Sequence, residues 1–188
     1  MNTKRKFTTR QIVLVGLLAA LTAACSALRI KVPADIVGTS AFHLGNIFCA
    51  LSGILLGPGL GGLAAGLGSA IYDMFNPLYI AECWITFLMK GAYGLATGLI
   101  VWKGKKEYSY GKTVIGTVVG ALVYAALYLG KNFLKGIWVK GLVPAASALL
   151  LLEKVPATAF NAIVAIICAP LLAKAIRAAL ERNHMTLN

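Results

Sequence analysis

Apolar residues form six long runs along the chain, and short polar segments separate them. A membrane-spanning helix needs about 20 mostly apolar residues, and six helices of about that length use nearly the whole chain. The pattern therefore predicts an all-α integral membrane protein with six transmembrane helices in one domain, residues 1–188. The predicted helices are residues 11–30, 42–56, 58–75, 84–102, 112–133 and 156–181.

Turn residues and polar segments set the boundaries between these helices. Gly57-Pro58-Gly59 predicts a tight reversal between the second and third helices, because glycine is conformationally permissive and proline lacks a backbone N–H. Residues 134–154 predict a long loop with a short helix at the membrane surface. The first apolar run is longer than the core of a typical secretory signal peptide, so we expect it to remain as the first helix.

Composition supports a membrane protein and excludes several other classes. Hydrophobic residues make up 59% of the chain and charged residues only 13%, whereas about a quarter of the residues in soluble domains are charged. The predicted helices leave no room for a separate soluble catalytic domain. The net charge of +12 does not indicate nucleic-acid binding, because lysine and arginine cluster at the helix ends, where they meet lipid headgroups.

Cysteine spacing does not indicate a metal site or a disulfide framework. Cys25, Cys49, Cys83 and Cys168 are far apart, and none stands in a CxxC or Cys/His ligand pattern. Three of them lie in apolar runs, where a free cysteine behaves as a small hydrophobic residue. We therefore predict neither a metal ion nor a cofactor.

The distribution of basic residues predicts that both termini are cytoplasmic. Six spans place the termini on one side, together with the loop after the fourth helix, and cytoplasmic segments are enriched in lysine and arginine. That side carries Lys4, Arg5, Lys6, Arg10, Lys103, Lys105, Lys106, Lys112, Lys174, Arg177 and Arg182. The other side carries the smaller set Arg29, Lys31, Lys131, Lys135, Lys140 and Lys154.

Four polar residues interrupt the predicted second, third and fourth helices. They are His43, Asn46, Asp73 and Lys90. Ionisable groups inside a membrane are costly, so each is a candidate for a functional site. His43 and Asn46 lie three residues apart, which predicts that they share one face in the first turn of the second helix.

With the termini inside, the polar membrane residues converge on one level near the outer surface. Aromatic walls with a few polar groups are typical of a small-molecule pocket, and this combination suits a small polar heterocycle. The cytoplasmic halves are nearly free of such groups, so the pattern does not indicate a continuous ion path. The predicted substrate-binding residues are His43, Asn46, Asp73, Tyr79, Glu82, Trp84, Lys90, Tyr124, Tyr128, Trp138 and Asn161.

Each candidate also has a purely structural interpretation. His43 and Asn46 are alternatively interfacial groups near the lipid headgroups. Asp73 and Lys90 are alternatively a buried ion pair, and Asn161 an interhelical hydrogen-bonding group. Three of the aromatic candidates also fit an aromatic belt at the membrane interface, namely Tyr79, Trp84 and Trp138.

The first helix carries small residues at helical spacing, among them Gly16, Ala20, Ala24 and Ala27. Such spacing lets a second helix approach closely. From the spacing alone, that second helix belongs either to this chain or to a partner.

Three segments resemble the substrate-binding S components of energy-coupling factor (ECF) vitamin transporters. They are FHLGN at 42–46, LLGPGLGGLAAGLGSAIYDMF at 55–75 and ITFLMKGAYGLATGL at 85–99. The closest branch is the riboflavin type, which includes proteins assigned to hydroxymethylpyrimidine or pyridoxine uptake. It has an FHLGD-like start to the second helix, a GP turn, a GSALAD-like end to the third helix and an FxxKG motif. This chain departs from the pattern at Asn46, where an acidic residue is usual.

The resemblance implies a six-helix ECF S-component bundle with a pocket near the outer surface, capped by the first, third and fifth loops. It also implies that the protein captures a vitamin outside the cell and docks on a transmembrane coupling subunit driven by two ATPases. Family members dock through an alanine face on the first helix, which corresponds here to Ala19, Ala20, Ala23 and Ala24. The chain has no GxxxxGK[ST] phosphate-binding loop, so ATP-driven transport depends on a partner.

The function predicted from these features is the high-affinity binding subunit of an ECF importer in a bacterial-type plasma membrane. Pyridoxine-like or hydroxymethylpyrimidine-like heterocycles are the favoured substrates, with riboflavin or a deazaguanine such as queuine as alternatives. A structural or assembly subunit without a ligand is the second hypothesis. A small membrane enzyme is the third, but no DxxxD or HExxH pattern accompanies His43 and Asp73, so we do not predict an enzyme.

Overall fold

The computed structural model describes residues 8–31, 41–104 and 109–183. The predicted basic residues before position 8, Lys105 and Lys106, and most of the first loop, residues 32–40, lie outside these ranges. A 3-10 turn spans Ile80–Glu82. The remaining elements are α1 (Thr9–Ala27), β1 (Arg29–Lys31), β2 (Ala41–His43), α2 (Gly45–Met74), α3 (Cys83–Val101), α4 (Tyr110–Trp138) and α5 (Pro144–Arg182).

Helix α2 contains the second and third predicted helices, and it reverses direction between them. Gly57 has φ 79° and ψ −175°, which is not helical, and Pro58 follows it. Cys49 Sγ lies 3.7 Å from Ser69 Oγ, although 20 residues of continuous helix would span about 30 Å. The two halves of α2 therefore run back against each other from the predicted Gly57-Pro58-Gly59 turn.

Glycine allows the two halves of α2 to touch at the backbone. A Cβ atom at Gly61 would lie 2.6 Å from the Cα atom of Gly53 and 2.7 Å from its nitrogen. Gly53 in turn packs against the backbone of Gly94 on α3. Helices in membranes gain stability from such close approach, because van der Waals packing is one of the main forces between them. The glycine-rich sequence thus determines the spacing of the helices that surround the site.

Replacing Gly61 by alanine is expected to lower the thermal stability of the purified protein in detergent. The added methyl group would overlap backbone atoms that cannot rotate away, and overpacking of this kind costs about 1–3 kcal/mol. Gly59→Ala is the matched control in the same hairpin, because no atom lies within 4 Å of a Cβ at that position. Equal melting temperatures for the two variants would show that the halves of α2 do not pack this closely.

The connection between α1 and α2 differs from the prediction. Helix α1 ends at Ala27, and residues 29–31 pair with residues 41–43 as antiparallel strands, with Arg29 opposite His43. His43 therefore lies on β2 and Asn46 in the first turn of α2, so the prediction that they share a helical face was wrong. The Asn161 side chain explains the difference, because it accepts a hydrogen bond from the His43 N–H (2.9 Å) and donates one to the Ala41 carbonyl (3.0 Å).

The segment predicted as a long loop is mostly helical. Helix α4 continues to Trp138, and residues 144–154 form one helix with the predicted last span, with Pro156 inside it. Ser147 packs against Gly136 of α4 and donates a hydrogen bond to the Phe133 carbonyl at 2.8 Å. These contacts hold the start of α5 against the end of α4, which the local sequence pattern could not indicate.

Large apolar side chains cover the outer surface of the bundle. Exposed leucine, isoleucine and valine residues occur on all five helices, whereas the core consists largely of alanine, glycine and a few larger residues such as Leu51, Ile54 and Tyr93. In the described residues, five helices are long and apolar enough to cross a membrane. This arrangement, with apolar residues outside and small residues inside, is expected for a helical bundle in lipid.

Candidate functional site

A cavity opens at the end of the bundle that carries the two strands and the 3-10 turn. The volume of the cavity is ≈ 130 Å³, well above the ~10–15 Å³ that accommodates one water molecule. All the helices contribute to its lining, from the end of α1 to the first half of α5. The cavity therefore has room for a small organic molecule.

Lys90 forms the buried cationic group of this cavity. It is 4% exposed, and its Nζ donates a hydrogen bond to Oδ1 of Asn46. The same Nζ lies 4.0 Å from the ring centroid of Tyr124, within the range of a cation–π interaction. Tyr124 stacks on Tyr93 and Tyr128, with centroid distances of 5.9 and 5.8 Å. Tyr124 and Tyr128 thus form an aromatic part of the cavity wall beside the ammonium group, and Tyr93 is buried behind them.

Arg29 provides a second cationic group, between α1 and the far end of α2. Its guanidinium carbon lies 4.4 Å from the ring centroid of Tyr72 and 5.0 Å from that of Tyr79. Its Nε donates a hydrogen bond to the Ser26 carbonyl at 3.3 Å. These contacts hold the guanidinium at the cavity wall.

Asp73 lines the cavity and forms a side-chain hydrogen bond with Thr86. Among the ion pairs within 4 Å that join described residues, none links Asp73 to Lys90. The alternative interpretation of Asp73 and Lys90 as a buried ion pair was therefore wrong. Both groups face the cavity as separate polar contacts.

Glu82 ties the 3-10 turn to α4 beside the cavity. Lys131 Nζ lies 2.6 Å from one carboxylate oxygen, and Lys135 contacts the other oxygen. Because Lys131 and Lys135 are one helical turn apart, both reach the same carboxylate. The pair of contacts fixes one side of the cavity entrance.

His43 projects from β2 into the cavity, outside the candidate membrane-spanning helices. Its Nδ1 is buried and has no hydrogen-bond partner in the described part of the chain. Burial, with further contributions from Lys90 and Arg29, holds the pKa of His43 well below its usual value. A neutral imidazole with an unused nitrogen is suited to hydrogen bonding with a ligand.

The depressed pKa of His43 predicts acid sensitivity. The unfolded chain takes up a proton at this residue near pH ~6.5, whereas the folded protein does so only at lower pH, so the free energy of unfolding decreases as the pH falls through this window. We expect the melting temperature to fall more steeply in the natural protein than in His43→Gln between about pH 7.5 and about pH 5.5. Parallel curves would show that His43 does not contribute.

The structure brings most of the predicted site residues together. Those that line the cavity are His43, Asp73, Tyr79, Glu82, Lys90, Tyr124, Tyr128 and Asn161. Asn46 contacts the site through Lys90. Trp84 and Trp138 do not line the cavity and are 62% and 78% exposed, a placement that suits an aromatic belt.

Several lining residues were absent from the predicted set, notably Arg29, Tyr72, Thr86 and Lys135. The sequence pattern placed Arg29 only among the basic residues on the non-cytoplasmic side. A signal existed for two of the others, because Tyr72 precedes Asp73 and Lys135 follows Lys131 by one turn. No such signal existed for Arg29, whose aromatic partners lie more than 40 residues away in sequence.

Metal-ligating side chains do not cluster at the cavity. In the part of the chain that the structure describes, no three histidine, cysteine, aspartate or glutamate residues are grouped so as to hold a metal ion. The polar groups available to a ligand are hydrogen-bonding and charged side chains.

Comparison with known proteins identifies the family. Residues 6–178 match the sequence model of the family described as "ECF-type riboflavin transporter, S component". The chain belongs to this S-component family. An uncharacterised protein in the gap 3′ region of Pyrococcus woesei is 33% identical over 110 residues, which cover 58% of this chain and 69% of that protein.

Membership in the S-component family assigns the general role of the protein. S components are the substrate-binding subunits of vitamin transporters and are not enzymes. They are integral membrane proteins, in agreement with the apolar helices described above. An S component works with an ECF module of ATPases and a transmembrane component.

Proposed function

We propose that this S component binds a small vitamin-like heterocycle, of the pyridoxine or hydroxymethylpyrimidine class, in the cavity beside Lys90. The observation that carries the proposal is the stacked pair of Tyr124 and Tyr128 in the cavity wall, next to the buried ammonium group of Lys90. A flat ring can pack on such a surface, while Asp73, His43 and Lys90 provide hydrogen bonds that orient it. Riboflavin and deazaguanines share the flat ring and are the competing substrates.

Mass spectrometry of small molecules released from the purified, detergent-solubilised protein tests this proposal. We expect a heterocycle in a stoichiometric amount from the natural protein and a much smaller amount from Lys90→Met. A preparation that contains no ligand, and that binds no member of a vitamin panel, would favour a structural or assembly subunit. Turnover of a compound without partner subunits would favour an enzyme.

We further propose six membrane crossings, with both termini in the cytoplasm and the cavity open to the outside. The reversal at Gly57 supports this count, because it lets each half of α2 cross separately. Contacts at the opposite end of the bundle from the cavity include Trp102 with the Ile54 carbonyl at 3.0 Å and Lys174 over the ring of Tyr110. The basic residues on that side favour the cytoplasm.

The outward face of α1 is the proposed docking surface for the transmembrane coupling subunit, which two ATPases drive. Ala20 and Ala24 are exposed, and no atom lies within 4 Å of a Cβ at Gly16. Ala23 is half-buried at the edge of this face. Ala19 is buried, and its backbone packs on Gly68. We therefore place the docking surface at Gly16, Ala20 and Ala24 and assign Ala19 to packing within the bundle.

A further inference from the structure

Among the described residues that line the cavity, cationic side chains outnumber carboxylates, and we infer that the bound heterocycle carries an anionic group, a carboxylate or a phosphate. The inference rests on the proposed small-molecule function and narrows its substrate class. Free pyridoxine and hydroxymethylpyrimidine lack such a group, whereas their carboxylate and phosphate derivatives carry one. The inference therefore narrows the proposed class to its acidic or phosphorylated members.

In the part of the lining that the structure describes, the cationic and anionic side chains are unequal in number. Arg29, Lys90, Lys131 and Lys135 are cationic, and the carboxylates in the described lining are Asp73 and Glu82. Lys131 and Lys135 share the single carboxylate of Glu82. Asp73 is then the remaining described carboxylate beside both Arg29 and Lys90.

Lys90 has neutral partners. Its hydrogen-bond acceptor is the amide oxygen of Asn46, and its other close contact is the ring of Tyr124. Within the described ranges, no carboxylate oxygen lies within 4 Å of its Nζ. A buried charge is costly unless an opposite charge or several hydrogen bonds compensate it. An anionic ligand group at this position would supply that compensation.

Arg29 is held in a similar neutral setting. Tyr72 and Tyr79 lie beside its guanidinium, and the Ser26 carbonyl accepts from its Nε. Among the described residues, the guanidinium forms no ion pair within 4 Å. A guanidinium fixed by aromatic rings retains donors for a carboxylate or phosphate, which it binds in a bidentate manner.

A second, smaller cavity extends the positive surface outward. Its volume is ≈ 50 Å³, and it shares Asn132 and Lys135 with the main cavity. Lys140 also lines it. Lys154 lines it too, but this side chain is buried and already has an interaction within the protein. Clefts lined by one sign of charge concentrate ligands of the opposite sign. The surface therefore favours the approach of an anion toward the main cavity.

Binding of anionic lipid headgroups explains the excess of cationic side chains less well than binding of a soluble anion. Anionic headgroups can neutralise lysines near the membrane surface, such as Lys140. They do not reach Lys90, which is 4% exposed. A soluble anionic ligand accounts for both the buried and the superficial cations.

The test separates anionic from uncharged ligands before either is identified. Small molecules from yeast extract are divided on an anion exchanger into bound and unbound fractions, and each fraction is added to ligand-free protein in detergent. A ligand that binds only the folded state raises the melting temperature. We expect the bound fraction to raise it by several degrees and the unbound fraction to leave it unchanged.

Two variants and one salt control make the result specific. Arg29→Gln should need at least about tenfold more of the bound fraction for the same shift, whereas Lys103→Gln, an exposed position at the other end of the bundle, should behave like the natural protein. Potassium phosphate at the same ionic strength should produce no comparable shift. A full shift with phosphate alone would overturn the inference, because the site would then bind a simple anion.

The remaining outcomes distinguish this inference from the proposed function. Stabilisation by the unbound fraction would overturn the anionic ligand and leave the small-molecule function intact. Equal sensitivity of Arg29→Gln and natural protein to the bound fraction would remove Arg29 from the site and contradict the inference. No stabilisation by either fraction would contradict the proposed function together with the inference.

Discussion

Lys90→Met is expected to weaken ligand binding about a hundredfold, which corresponds to ~2.8 kcal/mol at room temperature. Lys90 is the most deeply placed cation of the cavity, and its ammonium group lies between Asn46 and the ring of Tyr124. Hydrogen bonds to charged groups contribute about 1.5–3 kcal/mol. The dissociation constant of the copurified ligand, measured by isothermal titration calorimetry in detergent, gives the effect directly.

The same substitution should leave the fold intact, so that the loss can be assigned to the site. Methionine has a similar length, and its introduction removes a buried charge whose desolvation is costly and which no described carboxylate pairs within 4 Å. The melting temperature of the ligand-free variant should therefore be close to that of the natural protein. Lys103→Met is the matched control, because Lys103 is exposed and distant from the cavity. A folded Lys90→Met protein with unchanged affinity would remove Lys90 from the binding site.

Ala20→Trp and Ala24→Trp are each expected to abolish uptake by the complete transporter and to leave ligand binding by the isolated subunit unchanged. Both positions are exposed on α1, so an indole ring fits there in the free protein. In a close helix–helix contact the same ring separates the backbones, and small residues are required for such contacts in membranes. Uptake of labelled ligand into proteoliposomes and binding in detergent are the two measurements.

Two further tryptophan variants test whether the effect is specific to the docking surface. Leu122→Trp lies on α4 at a position that is also exposed, and it should support normal uptake. Ala19→Trp should instead lower the yield of folded protein, because Ala19 is buried against α2. Normal uptake by both Ala20→Trp and Ala24→Trp would contradict docking through α1.

Local sequence patterns gave reliable predictions for features that depend on one segment alone. Such features follow from the length of the segment relative to the bilayer or from the backbone properties of its own residues. The lengths of the apolar runs predicted the membrane helices, because each span must satisfy the thickness of the hydrocarbon layer. Gly57 and Pro58 predicted the reversal inside α2. The conformational freedom of glycine and the missing backbone N–H of proline do not depend on the rest of the chain. Polar residues at one depth predicted the position of the cavity, because intramembrane polar groups are retained only where they have a role.

The same local reasoning failed where a distant residue determines the conformation. β2 is extended rather than helical because the Asn161 amide, 118 residues from His43, pairs with its backbone. The start of α5 is helical because Ser147 packs on α4. Neither partner can be recognised from its sequence neighbourhood.

The sequence by itself determined the class of this protein: a helical membrane S component with a polar cavity at one end. Hydrophobic length, turn residues and family motifs are all properties of short segments, and they are sufficient for that conclusion. Only the tertiary structure decided that Lys90 pairs with Asn46 rather than Asp73, and that Arg29 lies between Tyr72 and Tyr79. It also decided that Ala19 is buried in the bundle whereas Ala20 is exposed. Those facts depend on how each helix is rotated about its axis, and that rotation is set by contacts between segments far apart in the chain.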